Sequence, residues 1–185
     1  LQAMDSVQLG ALSSRQIGVL TTAQIAALSP ESLAALGTAQ YAGMTTAQIA
    51  AISTQQAAAL QTADVAAWTS TQLRALSNDA TAALGTDAIA GLSGTQLASL
   101  RTDQIAALRD DQVSGIESND IASLTTSQLA AFSNAQIDAL GTTQLSNLTT
   151  TQLTALKVAL ACCGWKTPDL GGRRPDLTSS GRFGQ

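Results

Sequence analysis

Leu20-Thr21-Thr22-Ala23-Gln24-Ile25-Ala26-Ala27-Leu28 is the stretch whose reading decides the fold of this chain. Thr21 reads as a helix N-cap, with Gln24 three residues on to complete a capping box. Leu20 and Ile25 on either side form the apolar staple that sets the angle at which the chain enters the helix. The pattern recurs at Met44, Thr45, Gln48 and Ile49, and again at Leu124, Thr125, Gln128 and Leu129. Ser29-Pro30 fits the same register, because Pro30 then falls at the first helical position, where its missing N–H does no harm.

Working outward from these residues, the whole of 1–160 divides into twenty units of eight with the consensus I-A-A-L-T-T-A-Q and no insertion. The fourth position is apolar in all twenty units, from Met4 through Trp68 and Phe132 to Leu156. The first is large and apolar in eighteen, the exceptions being Ala57 and Thr81. The second and third are mostly Ala, Gly or Ser, and the eighth is Gln in fourteen of the first nineteen units.

One continuous helix is excluded by this period. Eight residues at about 100° each overshoot two turns by about 80°, so an apolar stripe would circle the helix and bury nothing. The helix must break once per unit. Two further patterns agree with the break at position five. Eight of the thirteen acidic residues (Glu31, Asp64, Asp79, Asp87, Asp103, Asp110, Asp111 and Asp120) fall in the first turn so defined, where the helix dipole favours negative charge. Gly37, Gly85 and Gly141 fall on the cap itself, where glycine is tolerated. Each unit is thus a helix of about six residues followed at once by a corner, too short to stand alone. The fold class expected is all-α, a solenoid or superhelix of very short helices with one helix per repeat, whose stability is collective. A similarity at a shift of 48, Ile25 to Met44 against Leu73 to Leu92, reads as a whole number of superhelical turns or as a duplicated block.

Composition narrows the function. Charged residues are 12% and aromatics 3%, so the apolar content is alanine with leucine and isoleucine, unlike a disordered chain. No apolar run approaches a membrane span. The body, 1–160, is weakly acidic, whereas 161–185 carries Lys166, Arg173, Arg174 and Arg182 against two acidic residues. Such a distribution lacks the concentrated basic face of a nucleic-acid binder. The chain begins at Leu1 inside a repeat, which suggests a processed product from which any signal peptide has gone.

At Leu160 the periodicity stops. The segment 161–185 is rich in Gly, Arg, Pro and Ser and has two readings: a cap with a frayed terminus, or a docking segment. In the second, Trp165, Leu170 and Phe183 are apolar anchors and Arg173, Arg174 and Arg182 meet an acidic body on another subunit. Cys162 and Cys163 are adjacent and alone; they are either free thiols or intermolecular disulfides, the latter requiring an oxidising compartment. The candidate inter-subunit contacts are therefore Cys162, Cys163, Trp165, Arg173, Arg174, Arg182 and Phe183.

Catalytic chemistry finds no footing. The chain has no histidine, hence no histidine-based triad and no histidine metal site. The Asp110-Asp111 pair reads as a helix start before it reads as a carboxylate dyad. Thr81 in a core position has no base to pair with, and no phosphate-binding glycine loop occurs. Neither an enzyme nor a cofactor is expected. The Ser and Thr residues at positions five and six also offer an ordered hydroxyl array (Thr22 and Thr46 among them) for ice or a glycan. Most of those hydroxyls are needed as caps.

The units TTAQIAAL, TTSQLAAF and TTTQLTAL resemble the octapeptide arrays of the type L-T-T-x-Q-I-x-A in large secreted or surface proteins of Gram-negative bacteria. The resemblance covers 1–160, transfers no functional residues, and implies surface export with a structural or adhesive role. The reading that follows is a structural subunit of an extracellular or cell-surface assembly. Its partners would be copies of itself and components of the cell surface. The alternatives are a rigid spacer or adhesin stalk and, more weakly, ice or glycan binding.

Overall fold

The computed structural model describes residues 6–162, and side-chain packing for 7–156. Among the described residues it is all-helical. Nineteen helices follow one another: α1 (Ser6–Gly10), α2 (Ser14–Gly18), α3 (Thr22–Ala26), α4 (Pro30–Ala34), α5 (Thr38–Ala42), α6 (Thr46–Ala50) and α7 (Thr54–Ala58). Next come α8 (Thr62–Ala66), α9 (Ser70–Ala75), α10 (Asn78–Ala83), α11 (Thr86–Ala90), α12 (Gly94–Ser99) and α13 (Thr102–Ala107). The series closes with α14 (Asp110–Gly115), α15 (Ser118–Ile121), α16 (Thr126–Ala130), α17 (Asn134–Asp138), α18 (Thr142–Ser146) and α19 (Thr150–Cys162).

The eight-residue break arises as the side chains require. In α3, the Thr21 hydroxyl accepts from the Gln24 N–H at 3.2 Å and Gln24 Oε1 accepts from the Thr21 N–H at 2.8 Å. Ile25 N–H then bonds the Thr21 carbonyl at 3.1 Å, and Ala27 N–H bonds the Ala23 carbonyl at 3.0 Å. Leu28 N–H tightens the exit with a three-residue bond to Ile25. The next residue, Ser29, is already extended at φ −67°, ψ 155° and caps α4.

Each helix packs on the third one along, α1 on α4, α2 on α5, and so on to α16 on α19. Three helices, or 24 residues, therefore make one superhelical turn. The 48-residue similarity is two turns, as a whole-turn reading requires. Residues 24 apart stack in columns. First-position side chains such as Ile25, Ile49, Leu73 and Leu97 and fourth-position ones such as Leu28, Ile52 and Leu76 form a single apolar core along the axis. The two core positions that lack a large side chain, Ala57 and Thr81, lie one turn apart in one column. The two largest, Tyr41 and Trp68, meet edge to face with centroids 6.1 Å apart and planes at 77°.

Close approach between turns falls on a few glycines. A Cβ at Gly43 would come within 2.6 Å of the Ser14 carbonyl oxygen, and one at Gly18 within 2.9 Å of the Gly43 carbonyl oxygen. The last helix departs from the pattern. No corner forms at Lys157, and α19 runs through thirteen residues. No described helix is long and apolar enough to cross a membrane.

Candidate functional site

The chemistry of the molecule is concentrated between its turns, in the glutamine at the third helical position. Its Oε1 closes the capping box. From the second turn onward its Nε2 reaches down to the turn below. Gln48 Nε2 donates to the carbonyls of Ile17 and Leu20, each at 2.7 Å. Gln104 does the same to Leu73 and Leu76 at 2.9 Å, and Gln144 to Val113 and Ile116 at 3.1 and 2.8 Å. Eleven glutamines from Gln40 to Gln152 make this bond, to carbonyls 28, 30 or 31 residues earlier. One carboxamide thus satisfies a cap N–H of its own turn and orphan C-terminal carbonyls of the turn beneath. Gln16 and Gln24, with no described turn below them, are exposed, whereas Gln104 and Gln112 are fully buried (0%).

The capping-box reading found half of this clamp. The missed half had a signal. Glutamate serves a capping box as well as glutamine does, yet no unit carries Glu at the eighth position. Only the amide brings a donor for the turn below.

Five of the first nineteen units lack the glutamine, placing Ser32, Asp64, Ala80, Ala88 and Asp120 there. At Asp64 the register points to the carbonyls of Leu33 and Leu36. The Tyr41 hydroxyl takes over the first, donating to Leu33 at 2.5 Å. Asp64 is buried (5% exposed) and accepts the Gln61 N–H at 3.2 Å. Burial raises its pKa, partly opposed by that N–H. Burial, then the Asp64 carboxylate, pushes the Tyr41 phenol up as well. At Ala80 the Ser77 hydroxyl still caps the corner, accepting the Ala80 N–H at 3.1 Å. At Ala88 neither device is present. The cap is Gly85, without a side chain, and a recess of about 680 Å³ opens there, lined by Leu60–Ala63 and Gly85–Ala88. A second recess of about 530 Å³, lined by residues between Ser114 and Gln144, keeps its glutamine.

Two corners carry arginine at the cap. Arg101 Nε pairs with Asp103 at 3.0 Å, its Nη1 donates to the Arg74 carbonyl one turn down, and its Nη2 donates to Asn78 at 2.8 Å. Arg109 repeats the arrangement, with Nε and Nη2 each 2.9 Å from Asp111 and Nη1 on the Ala82 carbonyl. Guanidinium forks here supplement the amide clamp between turns.

Asp110 and Asp111 do not form a dyad. Asp111 is tied to Arg109 and accepts from the Thr86 hydroxyl at 3.0 Å, and Arg109 first, then Thr86, lower its pKa to about 2. Thr81 is 1% exposed and its hydroxyl donates to the Ser77 carbonyl at 2.8 Å, a satisfied core polar group. Thr22 and Thr46 are exposed one above the other, and their column continues through Ser70 to Gly94, where the row of hydroxyls in that column ends. Cys162 is the last residue of α19. Cys163, Trp165, Arg173, Arg174, Arg182 and Phe183 lie outside the described residues, so the docking-segment reading has no geometry beside it. Among the described residues no group of three or more His, Cys, Asp or Glu side chains could hold a metal ion.

Short helices, a three-helix turn and a repeated inter-turn clamp define a helical solenoid repeat protein. The ALTTAQ repeat family model matches residues 1–30, 31–62, 57–94 and 113–150, and the chain belongs to that family. No curated protein and no solved structure matches it.

Proposed function

We propose that this protein is a structural subunit of an extracellular assembly, a fibre, filament or sheath, with copies joined through solenoid ends and the segment 161–185. The single observation behind the reading is the clamp from Gln40 to Gln152, one hydrogen-bonding device repeated turn after turn. It ties the backbone of each turn to the next and gives a rod its axial continuity. Contacts of this head-to-tail kind are heterologous and extend into filaments wherever the rotation does not close. A turn of one copy offers a second copy the same carbonyls and amides that its own neighbour would use. The protein has no catalytic task in this proposal, and secretion to the cell surface goes with the octapeptide likeness.

Electron microscopy of the purified chain, with and without reductant and beside a chain truncated after residue 160, tests the proposal. Regular filaments that disappear on truncation are the expected result, and their loss under reductant would make Cys162 and Cys163 the cross-links. Isolated short rods at every concentration would overturn it in favour of a spacer or adhesin stalk.

A further inference from the structure

Three corners of the solenoid carry glycine at the helix cap, and they differ in one respect. At Gly37 and Gly141 the nearest atom to an added Cβ is the Oε1 of the glutamine three residues on, at 3.8 and 3.6 Å. At Gly85 nothing lies within 4 Å. The volume that the amide fills at two corners is empty at the third, because Ala88 replaces the glutamine. The groups that the amide would join remain in place. Gly85 has an N–H, and by the register of the clamp the carbonyls below it are those of Ala57 and Leu60. Ala57 accepts the Leu60 N–H. Among the described residues, nothing bonds the Gly85 N–H or the Leu60 carbonyl. Unsatisfied main-chain groups of this kind are costly when dry and are normally paired. They face the recess of about 680 Å³ between Leu60–Ala63 and Gly85–Ala88.

We propose that this recess binds a primary carboxamide, the side chain of a glutamine presented by another polypeptide. The ligand class is set by the molecule itself. At corners that keep the pattern, an amide oxygen accepts from the cap N–H and an amide nitrogen donates to the lower carbonyls, as in Gln40 with Gly37, Leu9 and Leu12. A carboxylate supplies no donor for Leu60 and would sit beside the exposed Asp87. An aliphatic chain satisfies neither group. The site spans two turns: its acceptor is the carbonyl of Leu60, the residue before the N-cap of α8, and its donor is the N–H of Gly85, the N-cap of α11. It is independent of the filament reading, since it lies within the solenoid and not at an end.

The test is a titration of the full chain with N-acetylglutamine N-methylamide, followed by amide proton and nitrogen shifts at Thr86, Ala88 and Ala63. Saturable displacement is expected with this probe and not with the glutamate or norvaline analogue. In Ala88→Gln the protein supplies its own amide, and the displacement should weaken at least tenfold while the melting temperature rises. Gly85→Pro gives a second variant should Ala88→Gln fold poorly. It deletes the N–H at a residue already at φ −60°, after Leu84 at φ −55°, ψ 146°, so proline fits without backbone change. It too should weaken binding tenfold. Equal displacement by the norvaline analogue, or undiminished displacement in both variants, overturns the proposal. Movement of the same resonances with protein concentration alone would identify the glutamine as that of a second copy; its absence, with the probe still binding, would identify another peptide.

Discussion

The Tyr41 phenol donates to the Leu33 carbonyl at 2.5 Å, in the place of an amide that Asp64 does not supply. Replacing Tyr41 with Phe should therefore cost about 1–2 kcal/mol, the usual consequence of leaving a buried acceptor unpaired. In an Asp64→Gln background the new amide reaches the same carbonyl, and Tyr41→Phe should cost distinctly less. A double-mutant cycle by denaturant unfolding measures the coupling. Additive effects would show that the phenol and residue 64 do not share this acceptor.

Asp64 also gives the solenoid a pH dependence of unusual sign. Its folded pKa is raised, chiefly by burial. Its contribution is thus fully present below the unfolded carboxyl range near pH 4 and is lost as pH rises through the folded value. Asp111 runs the other way: its folded pKa of about 2 makes its contribution present above about pH 4 and lost as pH falls toward 2. Thermal melts from pH 2 to 7 should show that Asp64→Asn removes a loss of stability on the neutral side and Asp111→Asn removes one on the acid side. Parallel profiles for both variants would contradict the assignment.

Much of this was legible in the sequence. Thr21 and Gln24 announce a cap, Pro30 fixes its register, and the drift of an eight-residue period forbids a continuous helix. The fold class follows from those local rules. The number of helices per turn does not, because it depends on how 24-residue columns stack, a long-range relation that single units do not encode. The absence of Glu at the eighth position pointed to a donor requirement. The phenol of Tyr41 and the guanidinium groups of Arg101 and Arg109 gave no such sign, since each acts on a carbonyl selected by tertiary register. Nothing in the sequence marks Ala88, because the groups it leaves unpaired belong in part to the turn beneath it.

Glycine tolerance should divide by register. A Cβ at Gly43 meets the Ser14 carbonyl oxygen at 2.6 Å and the Ser14 Cβ at 2.7 Å, both held by the backbone of the adjacent turn. Gly43→Ala should cost about 1–3 kcal/mol by forcing those turns apart. At Gly37 the nearest atom is 3.8 Å away and φ is −84°, so Gly37→Ala should be neutral or slightly stabilising through the unfolded chain. Urea unfolding of both variants checks the contrast, and equal costs would refute the close contact between turns.

The clamp makes its sharpest claim where glutamine and glutamate differ. Gln24 is exposed and its amide nitrogen meets no carbonyl below, so Gln24→Glu keeps the capping box and places a charge where the helix dipole welcomes it. Its effect should stay within about 0.5 kcal/mol. Gln104 is fully buried, with Nε2 2.9 Å from the carbonyls of Leu73 and Leu76. Gln104→Glu retains the cap acceptor but sets a carboxylate oxygen against two carbonyl oxygens, an arrangement that should cost about 3 kcal/mol or more at neutral pH. Protonation restores a donor, so the deficit should shrink as pH falls toward 4, a recovery that Gln104→Ala cannot show. Denaturant unfolding of the three variants at pH 7 and pH 4 decides the matter. A Gln104→Glu variant as stable as Gln24→Glu would mean that the amide nitrogen does not hold the turns together.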